Sequence, residues 1–228
     1  MKTELPRIRV QGPYACFSRP EHKVERVSYP VMTPSAARGV LESLIWRPEF
    51  RYQISRIGVL RQGSQTVVLR NELADRQGSR PYFIEDRRQQ RSSLILKDVA
   101  YLIEARILLR PHCTDSIYKY LDQFRRRVEK GQCHHTPYLG TREFVADFEP
   151  ASGEEPLPLD MRLGTMLFDV AYVEDDRRTD VEFKRPGREK PVKGYAQALF
   201  FEAEVKDGWM DVPESKYSEL YRLEDQNV

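Results

Sequence analysis

The chain has 228 residues, of which 40% are hydrophobic and 11% aromatic, enough for one large core or for a medium domain with a smaller one beside it. No apolar run approaches the roughly 20 residues of a membrane helix, no apolar segment follows the basic residue near the N-terminus, and Cys16, Cys113 and Cys133 are odd in number and widely spaced; the expectation is a protein of the reducing cytoplasm without a membrane span, a secretory leader or a disulfide framework. The net charge of +2 hides an asymmetry: up to residue 148 there are 26 Lys/Arg against 16 Asp/Glu (+10), and beyond it 11 against 19 (−8), so the first part favours a polyanionic partner.

In chain order, residues 5–17 alternate, with Ile8 and Val10 apolar between Arg7, Arg9 and Gln11, and predict a strand with one basic face. Thr33 supplies a capping hydroxyl and Pro34 a first helical position, and Ala37, Val40, Leu41, Leu44 and Ile45 follow at helical spacing until Arg47-Pro48. A second strand is expected over 50–60. The Arg-rich segment 61–93, punctuated by Gly63, Gly78 and Pro81, reads as an extended hairpin or mobile loop. Residues 95–109 are the third strand. Thr114-Asp115 then caps a helix whose Ile117, Leu121, Phe124 and Val128 share a face, ending at Lys130-Gly131, and 138–148 closes as a fourth strand.

Strand, helix, strand, strand, helix, strand is the ferredoxin-like order, an α+β arrangement whose open sheet also frames RNA-recognition domains. After the connection 151–158, a strand at 163–172 and a hairpin, 198–205 and 209–212 about Lys206-Asp207-Gly208, predict a small antiparallel sheet. The expected division is therefore 1–148, a ferredoxin-like (RRM-like) domain, and 149–228, a small β-sheet domain.

The stretch Gly12-Pro13-Tyr14-Ala15-Cys16-Phe17-Ser18-Arg19-Pro20-Glu21 continues through Lys23-Val24-Glu25-Arg26-Val27-Ser28-Tyr29-Pro30 into Thr33-Pro34-Ser35-Ala36-Ala37-Arg38-Gly39. This run resembles the CRISPR-associated RAMP-superfamily protein of the type I-C (Dvulg) system, the subunit that processes precursor CRISPR RNA. Lys130-Gly131-Gln132-Cys133, Pro137-Tyr138-Leu139-Gly140-Thr141-Arg142-Glu143-Phe144 and Leu163-Gly164-Thr165-Met166-Leu167 are similar to later segments of that family. The resemblance implies metal-independent cleavage at the base of the repeat hairpin, with the 2′-hydroxyl as nucleophile and a cyclic phosphate as product. It implies two kinds of partner, the precursor CRISPR RNA repeat and the backbone and large subunits of a Cascade complex, with double-stranded DNA as a further one. Family members carry a Tyr at the end of the first helix and a Lys-His pair early in the second; here those positions read Ile45 and Lys119-Tyr120.

The candidate catalytic residues follow. Lys119 matches the family and would stabilise charge on the phosphorane; Tyr120, a poor base, could orient the 2′-hydroxyl; His112, in the loop Pro111-His112-Cys113-Thr114, could move the proton. For RNA grip, Arg19, Lys23, Arg26 and Arg38 interleave with the stacking surfaces Tyr14, Phe17 and Tyr29. Arg126, within a triplet that cannot all face one way, and His134 and His135 after the second helix complete the set, while Trp46 reads as a packed anchor behind the site. Cys113 with His112 and Cys133 with His134 and His135 lack the ligand spacing of a zinc finger or ribbon, so buried or half-buried thiols are the simpler account and no metal or cofactor is expected. Two other readings stay open: a catalytically silent RNA-capping subunit, and a general binder of double-stranded nucleic acid.

Overall fold

The computed structural model describes residues 2–22, 24–75, 78–185 and 188–225. In chain order these form β1 (Lys2–Glu4), β2 (Ile8–Ala15), β3 (Arg26–Val27), α1 (Pro34–Leu44), β4 (Phe50–Arg61), β5 (Ser64–Leu73), a 3₁₀ turn (Ile84–Arg87), β6 (Arg88–Leu109) and α2 (Ile117–Glu129). β7 (Asp147–Pro150), β8 (Met161–Glu174), β9 (Val181–Phe183), β10 (Val192–Val205), β11 (Trp209–Asp211) and α3 (Glu214–Asp225) follow. The larger sheet has the order β11-β4-β6-β2-β7, with β1, β3 and β5 also paired to β6. Within it, β7-β2-β6-β4 is the antiparallel order that the connection β2-α1-β4-β6-α2-β7 must take in a ferredoxin-like fold, so the expected α+β class holds.

Local chemistry explains the helices. The Thr33 hydroxyl accepts from the Ala36 N–H at 3.3 Å and Pro34 opens α1, which buries Ala37, Val40, Leu41 and Leu44 on one face. It stops where Ile45 turns extended, three residues before Pro48. α2 is capped by Ser116, whose hydroxyl accepts from the Tyr118 N–H at 3.4 Å, later than the expected Thr114-Asp115. It ends at Gly131, which holds φ of 60°.

Three elements depart from their expected places. Residues 64–73 pair along the whole of 88–97, so the segment expected as a hairpin or mobile loop is a regular ladder. The fourth strand begins only at Asp147, because residues 138–145 close a loop of their own, with the Leu139 N–H donating to Phe144 O at 2.8 Å and the Cys16 N–H donating to Leu139 O at 3.0 Å. Gly140 makes that docking possible: it has φ of 87°, and a Cβ there would sit 2.0 Å from Cys16 O. Gly140→Ala is therefore expected to cost at least about 2 kcal/mol, read as a shift of the denaturant midpoint at unchanged slope; an unshifted midpoint would remove the close approach from the account.

The third departure is at the C-terminus. The turn at Asp207 (φ 46°) and Gly208 (φ 77°) does connect β10 to β11, but β11 pairs with β4 in the larger sheet and not with the small one, which is β8-β10-β9. The Trp209 ring explains the transfer: it lies against Gly58, where a Cβ would meet it at 2.9 Å, with the Arg56 guanidinium 4.0 Å above it. α3, which the sequence reading did not foresee, lies over β8. Its Tyr217 stacks edge-on against Phe168 at 4.8 Å, and its hydroxyl accepts from the Ile54 N–H at 2.6 Å. One contiguous core thus runs from Ile8, Val10 and Tyr101 through Met210 to Phe168, Phe201 and Tyr217. Among the described residues no helix is long and apolar enough to cross a membrane.

Candidate nucleic-acid interface

Because Ser116 caps α2, Lys119 and Tyr120 leave its first turn in different directions. Lys119 is exposed and its Nζ donates to Asp115 Oδ2 at 2.7 Å. Tyr120 is 2% exposed and belongs to the core, its ring 5.0 Å from that of Phe50. Its hydroxyl donates to the same Asp115 oxygen at 3.1 Å and lies 3.7 Å from Cys113 Sγ. Burial, then the Cys113 thiol and the Asp115 carboxylate, push this phenol far above its ordinary range, so it stays neutral and cannot serve as a base. Contact with a 2′-hydroxyl, expected from sequence, is closed to it: Tyr120 braces Asp115, and Asp115 holds Lys119.

Three grooves share walls, the second and third of them lined in part by residues of α1. The first, about 490 Å³, is lined by Arg51, Arg110, His112, Glu174, Arg185 and Arg188. The second, about 220 Å³, shares Arg51 and Arg110 with the first and adds Arg38, Glu42, Trp46 and Phe50. The third, about 710 Å³, shares Glu42 and Trp46 with the second and adds Gly39, His134, His135, Tyr138 and Arg142. His112 lines the first groove and the His134-His135 pair the third, and the second groove adjoins both.

The cations lining these grooves are not equally available. Arg38 spans α1 and β8, donating through Nε and Nη2 to Asp169 at 2.7 and 2.8 Å and through Nη1 to Glu42 at 2.7 Å. Burial alone would lower its pKa, but the two carboxylates outweigh it and raise it well above the ordinary value. Arg38 is an architectural tie and not a spare phosphate contact. Arg51 is held by Asp225 at 2.7 and 3.0 Å. Arg110, by contrast, makes no ion pair among the described residues; burial and the neighbouring Arg51 charge depress its pKa, and its Nε is buried without a partner. Asp225 and Glu224 offset part of that depression without pairing with Arg110, so a cation that is partly desolvated and repels its neighbour is left able to take an anion.

The other expected contacts fall into place as follows. Phe17 and Tyr29 are each 1% exposed, closed into the core by their apolar rings, and offer no face to a base. Tyr14 is exposed, its ring 6.1 Å from Phe144. Arg19 lies over the Tyr29 ring at 4.6 Å, and Arg26 is paired with Glu143 at 2.8 Å. Lys23 lies outside the described residues. The arginine triplet divides: Arg125 pairs with Asp122, Arg127 donates to Leu44 O, and Arg126 is exposed with no ion pair among the described residues. Of the thiols, Cys16 is buried, Cys113 half-buried and Cys133 exposed, the last contrary to expectation.

Trp46 is the main correction. The sequence reads it as a packed anchor, yet it is 56% exposed, because the extended Ile45 places its own side chain inside and throws the next one out. The alternation of an apolar Ile45 and an aromatic Trp46 just before Pro48 was the available signal. Arg110 and Arg142 had none, since only the folded chain shows which arginines lack a direct ion pair.

Fold and grooves together define a class, a ferredoxin-like α+β protein with adjoining grooves lined by arginines, carboxylates and aromatic rings. The chain belongs to the Cas5 family of CRISPR-associated proteins, the family described as CRISPR-associated protein (Cas_Cas5), whose model matches residues 7–213. It is 62% identical over 220 residues, 96% of either chain, to a Thermus thermophilus protein named CRISPR pre-crRNA endoribonuclease Cas5d. A Mannheimia succiniciproducens protein of the same name is 36% identical over 240 residues, covering 95% of this chain and 98% of that one. Two solved structures share the fold: the functionally uncharacterized SMU1763c of Streptococcus mutans (TM-score 0.63, 19% identity, 95% of each chain) and a CRISPR-associated protein (TM-score 0.62, 20% identity, 95% and 96%). The resemblance read from residues 12–39, 130–144 and 163–167 holds.

Proposed function

We propose that this chain is a cytoplasmic endoribonuclease that cuts precursor CRISPR RNA at the repeat hairpin. In this reading it then keeps the 5′ handle of its product and joins the backbone and large subunits of a type I-C interference complex, which brings it beside double-stranded DNA. The observation that carries the reading is the 62% identity, across 96% of both chains, to a protein named for that activity. The reaction is attack of a ribose 2′-hydroxyl on the adjacent phosphorus, with expulsion of the 5′-oxygen; it leaves a 2′,3′-cyclic phosphate and a 5′-hydroxyl, consumes no water and needs no metal. Lys119, exposed at the start of α2 and fixed by Asp115, suits stabilisation of the phosphorane. His112, on the wall of the first groove beside Arg110, suits proton transfer. Arg110 and Arg126 suit phosphate contacts, with Tyr14, His134 and His135 alongside.

The test is incubation of the purified protein with repeat RNA in EDTA, followed by end-group analysis. A single cut with a cyclic phosphate supports the reading; loss of cutting in EDTA refutes metal independence. The departures at Ile45 and Tyr120, both core residues here, favour one second reading, an RNA-capping subunit that binds without cutting, and retention of uncut RNA would select it. A random duplex competing as well as the hairpin would select the general binder instead.

Arg110→Ala is expected to weaken repeat binding and to reduce the slope of log Kd against log salt by about one. An unchanged slope would take Arg110 off the phosphate path.

A further inference from the structure

The third groove has features that no packing requirement explains. Trp46 is the wall between it and the second groove, and more than half of its surface is free. His134 and His135 line the same groove, their rings 4.2 Å apart. Both of their backbone N–H groups donate to Ser43 O, at 2.8 and 3.1 Å, so the loop after α2 is pinned to α1 in this position. Tyr138, partly exposed, and Arg142 line the groove too, and Arg142 makes no ion pair among the described residues. Gly39 sits inside the eleven-residue α1, where glycine costs about 1 kcal/mol relative to alanine, yet a Cβ there would meet nothing within 4 Å. A helical glycine with open space about it leaves the helix surface low, which deepens the groove beside it.

Resting on the function proposed above, we infer that this groove binds an unpaired nucleotide of the strand leaving the repeat hairpin, its base stacked on Trp46 and its phosphate at Arg142. The chemistry selects this occupant: a flat π-surface takes an unpaired base face, an unpaired guanidinium takes a phosphate, and about 710 Å³ has room for a nucleotide. Trp46 is then a specificity-determining residue for the single-stranded flank.

The experiment uses the full chain and two RNAs, the repeat hairpin with a single-stranded 3′ extension and the same hairpin with blunt ends. The chain has two tryptophans, and Trp46→Phe leaves Trp209, packed under Arg56, as the baseline signal. Wild-type fluorescence is expected to be quenched by the flanked RNA and much less by the blunt one, and the difference to vanish in Trp46→Phe. Trp46→Ala is expected to bind the flanked RNA roughly five- to 100-fold more weakly, with Trp46→Phe within about threefold of wild type. Gly39→Met, which suits a helix better than glycine, is expected to weaken flank binding as well by filling the groove. Equal quenching by both RNAs, or a Trp46→Ala variant that binds the flanked RNA within twofold of wild type, would overturn the inference. A wild-type chain that neither cuts nor holds repeat RNA would instead overturn the reading on which it rests.

Discussion

Replacing Lys119 by alanine is expected to slow single-turnover cleavage of repeat RNA by about 10²- to 10³-fold, while Kd changes by less than threefold. The asymmetry follows from where the charge acts. The ammonium is exposed and already engaged by Asp115, so it contributes little to ground-state affinity in salt, but charge that accumulates on the phosphorane in the transition state is met by a cation already in position. Asp115→Asn is expected to lose part of the same rate, because it frees the ammonium to wander, and its effect should be absent in the Lys119→Ala background. The pH dependence has a definite sign. The Asp115 carboxyl is held below its ordinary value by Lys119 first and by Tyr120 second, so the contact is complete above the carboxylate's unfolded pKa and is lost only as pH falls through the depressed folded value. With Tyr120 pushed up out of reach, neither group titrates between about pH 6 and 8. A limb of the rate profile in that range must come from another group. A Lys119→Ala protein that cuts at the normal rate would take Lys119 out of the mechanism.

Replacing Arg38 by alanine is expected to destabilise the fold by about 3–5 kcal/mol, a loss of roughly 6–20 °C in Tm for a chain of this length. Asp169 is buried, and without Arg38 its carboxylate keeps only the Val170 N–H at 2.8 Å. The cost arises from that stranded charge and not from lost attraction. The double change Arg38→Met with Asp169→Leu is therefore expected to recover most of the stability, since replacing a buried pair by apolar groups of similar volume is often neutral. Thermal unfolding of the single and double variants checks this. If Arg38→Ala kept its Tm but lost RNA affinity, Arg38 would be a phosphate contact after all.

The same arginine shows how far local patterning reaches. Arg38 stands in a run rich in cations and aromatics, and by charge alone it is indistinguishable from Arg110; the arrival of β8 beside α1 gives Arg38 a bidentate carboxylate, while Arg110 has Asp225 and Glu224 only in its wider surroundings. Phe17 and Tyr29 make the same point, since an aromatic beside an arginine can equally be a base platform or core, and strand direction decides. Tyr120 was placed on the correct turn of the correct helix, yet one residue of rotation puts Lys119 in solvent and the phenol against Phe50.

What the amino-acid order determined by itself was everything set by short-range chemistry: the α1 cap at Thr33-Pro34, the alternation of β2, the apolar face of α2, and with them the ferredoxin-like order and the family. The destination of β11, the late start of β7, the cover of α3, the exposure of Trp46 and the choice of unpaired cations were decided by the tertiary structure. The physical reason is range. Caps and periodicities are settled within one or two turns of chain, whereas burial of a ring and neutralisation of a charge depend on partners more than a hundred residues away, such as Asp169 for Arg38.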